Sequence, residues 1–355
     1  MCALGAVALL LAAAGASGED LLTSATFTEG GGQARTVKGK ILVDAQDKSF
    51  LLMGRDGRLW SVTPPQLHDR TTTSEPFEPL SREELTADLL AEFGEGFEIF
   101  ATKNYVICSN AEMEYVQWCG LLFERLETAL ISHWDSPPLD IHAPEMPLVA
   151  IVFADQPSFS RYATKDVGPA NANAKGYYST RTNRIVLYDL RSELNGRRGN
   201  SAADIDEQLE ASLSNVATVV HEATHQIAFN CGLHTRYADN PLWLTEGMAT
   251  YFETPDMRNR SGWKTLGKLN PARMRAFREF VGRRRPADSL TTLISSDERL
   301  TNAETAGDAY AEAWALTYFL IKTKRKKYVE YLKLVSDKPP LVFGRCVSSA
   351  WTIFS

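Results

Sequence analysis

The sequence predicts an α+β fold in which a small antiparallel β module precedes a larger domain of strands followed by helices. Three observations carry this. Short apolar segments separated by turn residues fill residues 37–62. Leu148–Phe153 (LVAIVF) is a continuous apolar run, the make-up of an internal strand. From Asp204 onward apolar residues recur at spacings of three and four, the helical period. A chain of 355 residues, 44% of them hydrophobic, is long enough for one sizeable core and a smaller module. Its net charge of -6 gives no reason to expect nucleic acid as a partner. The basic runs at Arg283–Arg285 and Lys322–Lys327 lie beside predicted helices and read as solvated faces.

Cys2–Ala16 is almost wholly apolar or small and meets Ser17, Gly18, Glu19 and Asp20. The run is too short to span a membrane comfortably and ends in small residues, so residues 1–18 are expected to be a signal peptide. No Lys or Arg precedes it, and an uncleaved anchor is the alternative. Export implies a secreted or periplasmic protein with no stable membrane span once the leader is removed. Cys108, Cys119, Cys231 and Cys346 then remain, and three disulfide pairings stay open.

Residues 19–80 are expected to form the β module and a linker. Strands are predicted at Val37–Val43, Lys48–Met53 and Arg58–Val62, and the Pro-, Thr- and Ser-rich stretch Thr63–Pro79 reads as linker. Residues 81–355 are expected to form the main domain. Ser81 and Glu84 make a capping box for a helix that reaches Phe93. Phe97–Ala101 and Tyr105–Ser109 read as strands. Ala111–Trp134 has an amphipathic helical pattern, with Tyr115, Trp118, Leu122, Leu126 and Leu130 on one face. Gly176–Ser179 and Arg184–Tyr188 flank Thr180–Asn183 as a hairpin.

Asp204 and Glu207 can cap the next helix. Leu209, Leu213, Val216, Val220, Ala223 and Ile227 form its apolar stripe, and it is predicted to run to Phe229 and stop near Gly232. His221-Glu222-Ala223-Thr224-His225 lies inside it. Four residues advance a helix by about one turn, so both imidazoles point the same way and can share one ion. Glu222 can approach a metal-held water without displacing it, which is the HExxH arrangement. Zinc suits two imidazoles, keeps one position for water and lowers the pKa of that water from 15.7 toward about 7. Glu222 would accept the water proton and later pass one to the leaving amine.

Downstream, Asn240 and Pro241 suit the cap and first turn of a second helix, and Glu246 stands 21 positions after His225. A carboxylate there completes two His and one Glu around Zn2+, with one site open. The small residues Gly247 and Ala249 would let the two ligand helices pack closely.

HEATHQ followed by PLWLTEGMATYFE resembles the gluzincin superfamily of zinc peptidases, and WLTEGMA is similar to the aminopeptidase segment whose glutamate is the third zinc ligand. The resemblance implies that role for Glu246 and a zincin-like metallopeptidase domain. NRIVLYDL, HEATHQIAFN and WLTEGMATYFE together resemble a bacterial family of unknown function, number fifteen-seventy, over most of the mature chain. Gluzincins often carry an Asp four residues after the glutamate. Here Thr250 occupies that place, and Glu253 is either the partner that orients an imidazole or a solvated carboxylate.

The helical segment around Tyr310, 64 positions after Glu246, resembles the aminopeptidase segment that bears a catalytic tyrosine. Tyr310 is therefore expected to donate to the developing oxyanion, with a core aromatic as the alternative and His234 as the rival donor. Gly176, Tyr177 and Tyr178 are expected at a sheet edge where an extended peptide could add as a strand. The GAMEN-type sequence of aminopeptidases is absent, which favours an endopeptidase. The function expected is zinc-dependent hydrolysis of an extracytoplasmic protein or peptide. A retired peptidase fold serving as a surface-binding scaffold, and hydrolysis of a non-peptide amide or ester, are the other readings.

Overall fold

Alternation of buried and exposed residues accounts for the first strand of the chain. In β1 (Leu21–Thr28), Thr23, Ala25 and Phe27 are buried and their neighbours are not. The computed structural model describes residues 20–30, 32–193, 204–205, 207–208, 213–254 and 263–342. The leader at residues 1–18, Leu209, Cys346 and the end of the chain lie outside these. The chain divides into two compact units, Met1–Arg55 with Ser61–Glu78, and Asp56–Trp60 with Pro79–Ser355.

β1 belongs to a five-stranded sheet with β2 (Ala34–Asp44), β3 (Phe50–Gly54), β4 (Leu59–Val62) and β5 (Leu67–Pro76), in the order β4-β3-β2-β1-β5. β1 pairs antiparallel with β2 and β5, and β2 with β3. Two of these strands depart from expectation. β5 lies in the stretch read as linker, and β1 precedes the region read as strands. β5 is a polar edge strand with no buried residue, so it holds its place by backbone pairing and leaves no apolar period to read.

The second unit is built on a mixed sheet of β6 (Glu98–Ala101), β7 (Tyr105–Ser109), β8 (Leu148–Phe153), β9 (Gly176–Ser179) and β10 (Arg184–Tyr188), in the order β6-β7-β8-β10-β9. β7 and β10 run parallel to β8, while β6 and β9 are antiparallel edges. Every residue of β7, β8 and β10 is buried, as central strands covered on both faces require. α1 (Arg82–Phe93) opens with the expected box: Ser81 Oγ accepts from the Glu84 N–H at 3.1 Å, and Glu84 Oε2 accepts from the Ser81 N–H at 2.8 Å. Phe93 of α1 and Tyr162 of α3 (Gln156–Asp166) meet at 5.6 Å, so these helices share one side of the sheet. α2 (Met113–Trp134) takes another side with α4 (Leu213–Ala228), against which it packs.

Val216, Val219, Val220, Ala223 and Ile227 of α4 are buried. Full burial of each Val or Ile side chain is worth about 1.5–3 kcal/mol relative to exposure. Leu213, expected in this stripe, is 54% exposed. It stands at the start of the described helix and faces an open hollow with Leu269 and Ala272. Gln226 locks α4 in register with the sheet, its amide donating to the carbonyls of Val149 at 2.9 Å and Asn183 at 2.8 Å.

The remaining helices among the described residues are α5 (Leu242–Phe252), α6 (Pro271–Arg283), α7 (Ser289–Ser295), α8 (Glu298–Thr301), α9 (Ala306–Thr323) and α10 (Arg325–Ser336). The architecture is thus α+β, with helices gathered in the C-terminal half. α5 begins at Leu242 with Pro241 just outside it, and Asn240 does not cap it. Asn240 instead donates to Thr235 O and Ala238 O, and Asp297 accepts from the Leu242 N–H at 3.2 Å. Gly247 serves a different contact from the one expected. A Cβ there would press on Thr317 Oγ1 and stand 2.9 Å from Ala313 O, so the glycine lets α9, not α4, lie close on α5.

The basic runs are only partly solvated. Arg284 pairs with Asp308 at 2.7 Å, Arg285 reaches the buried Glu312 at 3.1 Å, and Arg325 lies over Trp134. Cys108, Cys119 and Cys231 are buried free thiols, and burial pushes Cys108 and Cys231 up to about 12. No described helix is long and apolar enough to cross a membrane.

Candidate metal centre

α4 and α5 pack side by side, and α9 lies against α5. This brings together side chains distant in sequence. His221 Nε2 and Glu246 Oε2 are 3.0 Å apart, the Nε2 atoms of His221 and His225 are 3.1 Å apart, and His225 Nε2 is 3.5 Å from Glu246 Oε2. The three side chains are 12%, 12% and 14% exposed, enclosed yet reachable from solvent.

These residues fit a cation. Ligand atoms bonded at about 2.0–2.2 Å to a tetrahedral ion stand about 3.3–3.6 Å from one another, close to the spacing seen here. Two imidazole nitrogens facing each other at 3.1 Å repel if both carry lone pairs or both carry protons. A shared cation, with a carboxylate as third donor, removes that conflict. The same three residues form a cluster able to hold a metal ion, with all three donor atoms within 4.8 Å of one another.

The imidazole of His221 is held from behind. Its Nδ1–H donates to Glu253 Oε1 at 2.8 Å, which leaves Nε2 free to face Glu246. Of the two roles left open for Glu253 by the sequence, the solvated carboxylate is ruled out, since the residue is buried. Arg273, in the first turn of α6, grips it with two bonds, Nε to Oε2 at 2.9 Å and Nη2 to Oε1 at 2.8 Å. Thr250 turns inward and donates to the Glu246 carbonyl at 2.8 Å, so it does not reach the histidines.

Burial shapes the charges. For His221 it opposes the charged form, but Glu246 and Glu253 outweigh it and hold the imidazole well above its ordinary value. Burial would raise Glu246 as well, yet His225 and His221 hold it far below the usual carboxylate range. Glu222 moves the other way: burial lifts its carboxyl, and the histidines offset this only in part. Tyr310 stays protonated at neutral pH, because burial and then the charges of Glu246 and Glu222 raise its hydroxyl far above the ordinary phenol value.

Glu222 and Tyr310 both open on a cleft of about 380 Å³ that the triad also lines, with Tyr178, Phe229, Tyr237, Asn240 and Leu242 among its walls. The Tyr310 ring lies 6.4 Å from that of His221. Glu222 Oε2 accepts the Tyr178 N–H of edge strand β9 at 2.8 Å. Gly176 sits beside Glu222 as well: a Cβ there would come within 3.8 Å of Glu222 Cγ.

Two expected residues point elsewhere. Strand neighbours alternate in direction, so Tyr177 turns away from Tyr178. Its ring packs on Phe159 at 5.9 Å and its hydroxyl donates to Asp166 at 3.0 Å. His234 does not line the cleft. It is 3% exposed, and its ring lies tilted against that of Phe229 with centroids 5.3 Å apart. Arg273 escaped the sequence reading altogether. Its one signal is a cation in the first turn of a helix, where the helix dipole disfavours it.

A family model described as a protein of unknown function (DUF1570) matches residues 215–342. The match agrees with the family resemblance found in the sequence and takes in all the residues of the triad, together with Glu222, Glu253, Arg273 and Tyr310. The strand segment at residues 183–190 and the β module lie outside it. No curated protein matches the chain.

Proposed function

We propose that this protein is a zinc-dependent peptidase of the gluzincin type, with a zincin-like fold, acting on an extracytoplasmic protein or peptide. The observation that carries the reading is the convergence of His221, His225 and Glu246 on one point, with Glu222 beside them and the Tyr310 phenol facing the same cleft. Zinc, when bound, acidifies a coordinated water and polarises a carbonyl oxygen. His221, His225 and Glu246 would hold it.

The chain's own residues supply the rest. Glu222, lifted by burial, accepts a proton at its carboxylate and returns one to the leaving nitrogen. Tyr310 keeps its proton and donates through Oη to the oxyanion that develops on the substrate carbonyl. The edge strand β9 offers its remaining main-chain groups to an extended peptide, the Tyr178 N–H being taken by Glu222. No Lys or Arg lines the cleft among the described residues, so nothing there would pair with a terminal carboxylate. This speaks against a carboxypeptidase, and the missing GAMEN-type sequence favours internal cleavage over an aminopeptidase.

A peptide-library assay on the zinc-loaded full chain tests the reading. Cleavage at internal bonds, abolished by a chelator and restored by zinc, is the expected result. A zinc-loaded chain that cleaves nothing in the library would favour a binding role for the same fold.

A further inference from the structure

Arg273 touches both sides of the proposed machinery without lining its cleft. Its guanidinium makes two parallel bonds to Glu253, at 2.9 and 2.8 Å, and Glu253 in turn accepts from His221 Nδ1 at 2.8 Å. The same guanidinium lies 5.8 Å from the centre of the Tyr310 ring. Its backbone is pinned as well: Asn270, a buried residue, caps α6 by accepting from the N–H groups of Ala272 and Arg273. α6 also packs on α9, the helix that carries Tyr310. A carboxylate that is 6% exposed is costly without a charge partner, and an arginine fork meets both of its oxygens where a lysine could meet one.

We propose that Arg273 is a positioning residue of the metal centre, its fork fixing Glu253 against His221. This rests on the reading of the triad as a metal site. Glu253 orients the ligand imidazole, and Arg273 keeps Glu253 from turning to solvent. Outer partners of this kind change metal affinity by on the order of 10–100-fold when removed.

The test is a zinc competition titration of the full chain with a chromophoric chelator, run beside the absorption spectrum of the cobalt-substituted protein and thermal unfolding of the metal-free protein. Arg273→Met is expected to weaken zinc on the order of 10–100-fold and to alter the cobalt spectrum. Arg273→Lys should fall between it and wild type. Adding Glu253→Gln to Arg273→Met should cost little more than either change alone. Wild-type zinc affinity and an unchanged cobalt spectrum in both Arg273 variants would overturn the proposal, even if the metal-free protein melts earlier, because the role would then be structural only. If Arg273→Met does not fold, Arg273→Lys decides by the same two readouts. A wild-type chain that binds no zinc would overturn the metal-centre reading itself, and this inference with it.

Discussion

The backbone N–H of Tyr178 donates to Glu222 Oε2 at 2.8 Å, so the carboxylate beside the two histidines is also tied to the rim of the sheet. This bond aims Glu222 without using its charge. In Glu222→Gln the amide oxygen can still accept from Tyr178, which keeps the local geometry while removing the base. Zinc content should equal that of wild type, and the hydrolysis rate should fall by on the order of 10²–10⁴-fold. Rate assays paired with metal analysis check this. Hydrolysis near the wild-type rate would remove Glu222 from the role of base.

Tyr310→Phe deletes one hydroxyl from the cleft wall and leaves the ring near His221 and Arg273. Turnover should drop by on the order of 10²–10³-fold, with zinc content and KM little changed, because the donor acts on charge that appears only in the transition state. Steady-state kinetics on one cleaved peptide suffice. A loss confined to KM would make Tyr310 a binding residue instead.

Gly247→Ala places a methyl group against Thr317 Oγ1 and Ala313 O, where α9 crosses α5. The helices must separate, at a cost of about 1–3 kcal/mol of stability. Urea unfolding of the metal-free protein measures it. A neutral result would mean that α5 and α9 can separate there at no cost.

Burial, with the nearby His225, lowers the pKa of His234 to about 3. The unfolded chain takes up a proton on this side chain below about pH 6.5, and the folded chain refuses it until about pH 3. Stability contributed by the neutral ring is therefore complete above pH 6.5 and is lost as the pH falls toward 3. His234→Phe should reduce the stability difference between pH 7 and pH 5 by on the order of 2 kcal/mol. Urea unfolding of both proteins at the two pH values tests this, and parallel curves would contradict it.

What the sequence disclosed, and what it hid, follows from the range of each interaction. Ser81 and Glu84 act within one turn, and LVAIVF is apolar throughout, so the α1 cap and the central strand β8 were legible. His221 and His225 share a helix face by periodicity alone. Glu246 needed a second helix to fold back beside the first: the helix start at Asn240 and Pro241 and the 21-residue spacing made it available, and the family resemblance then implied its role. β5 was illegible because an exposed edge strand needs no apolar pattern. Arg273 was illegible for another reason: its link to His221 runs through Glu253 and two helix contacts, and no local spacing records such a chain. Gly247 reads from the sequence as a close-packing residue, but a small residue marks a contact without naming the partner, which is α9 and not α4.

The most direct test is the zinc stoichiometry of the purified full chain beside His221→Ala and Glu246→Ala. One zinc per wild-type chain is expected, with affinity sharply reduced in both variants. A wild-type chain without bound zinc after reconstitution, or variants that bind it as tightly as wild type, would contradict the claim that these side chains form one metal centre.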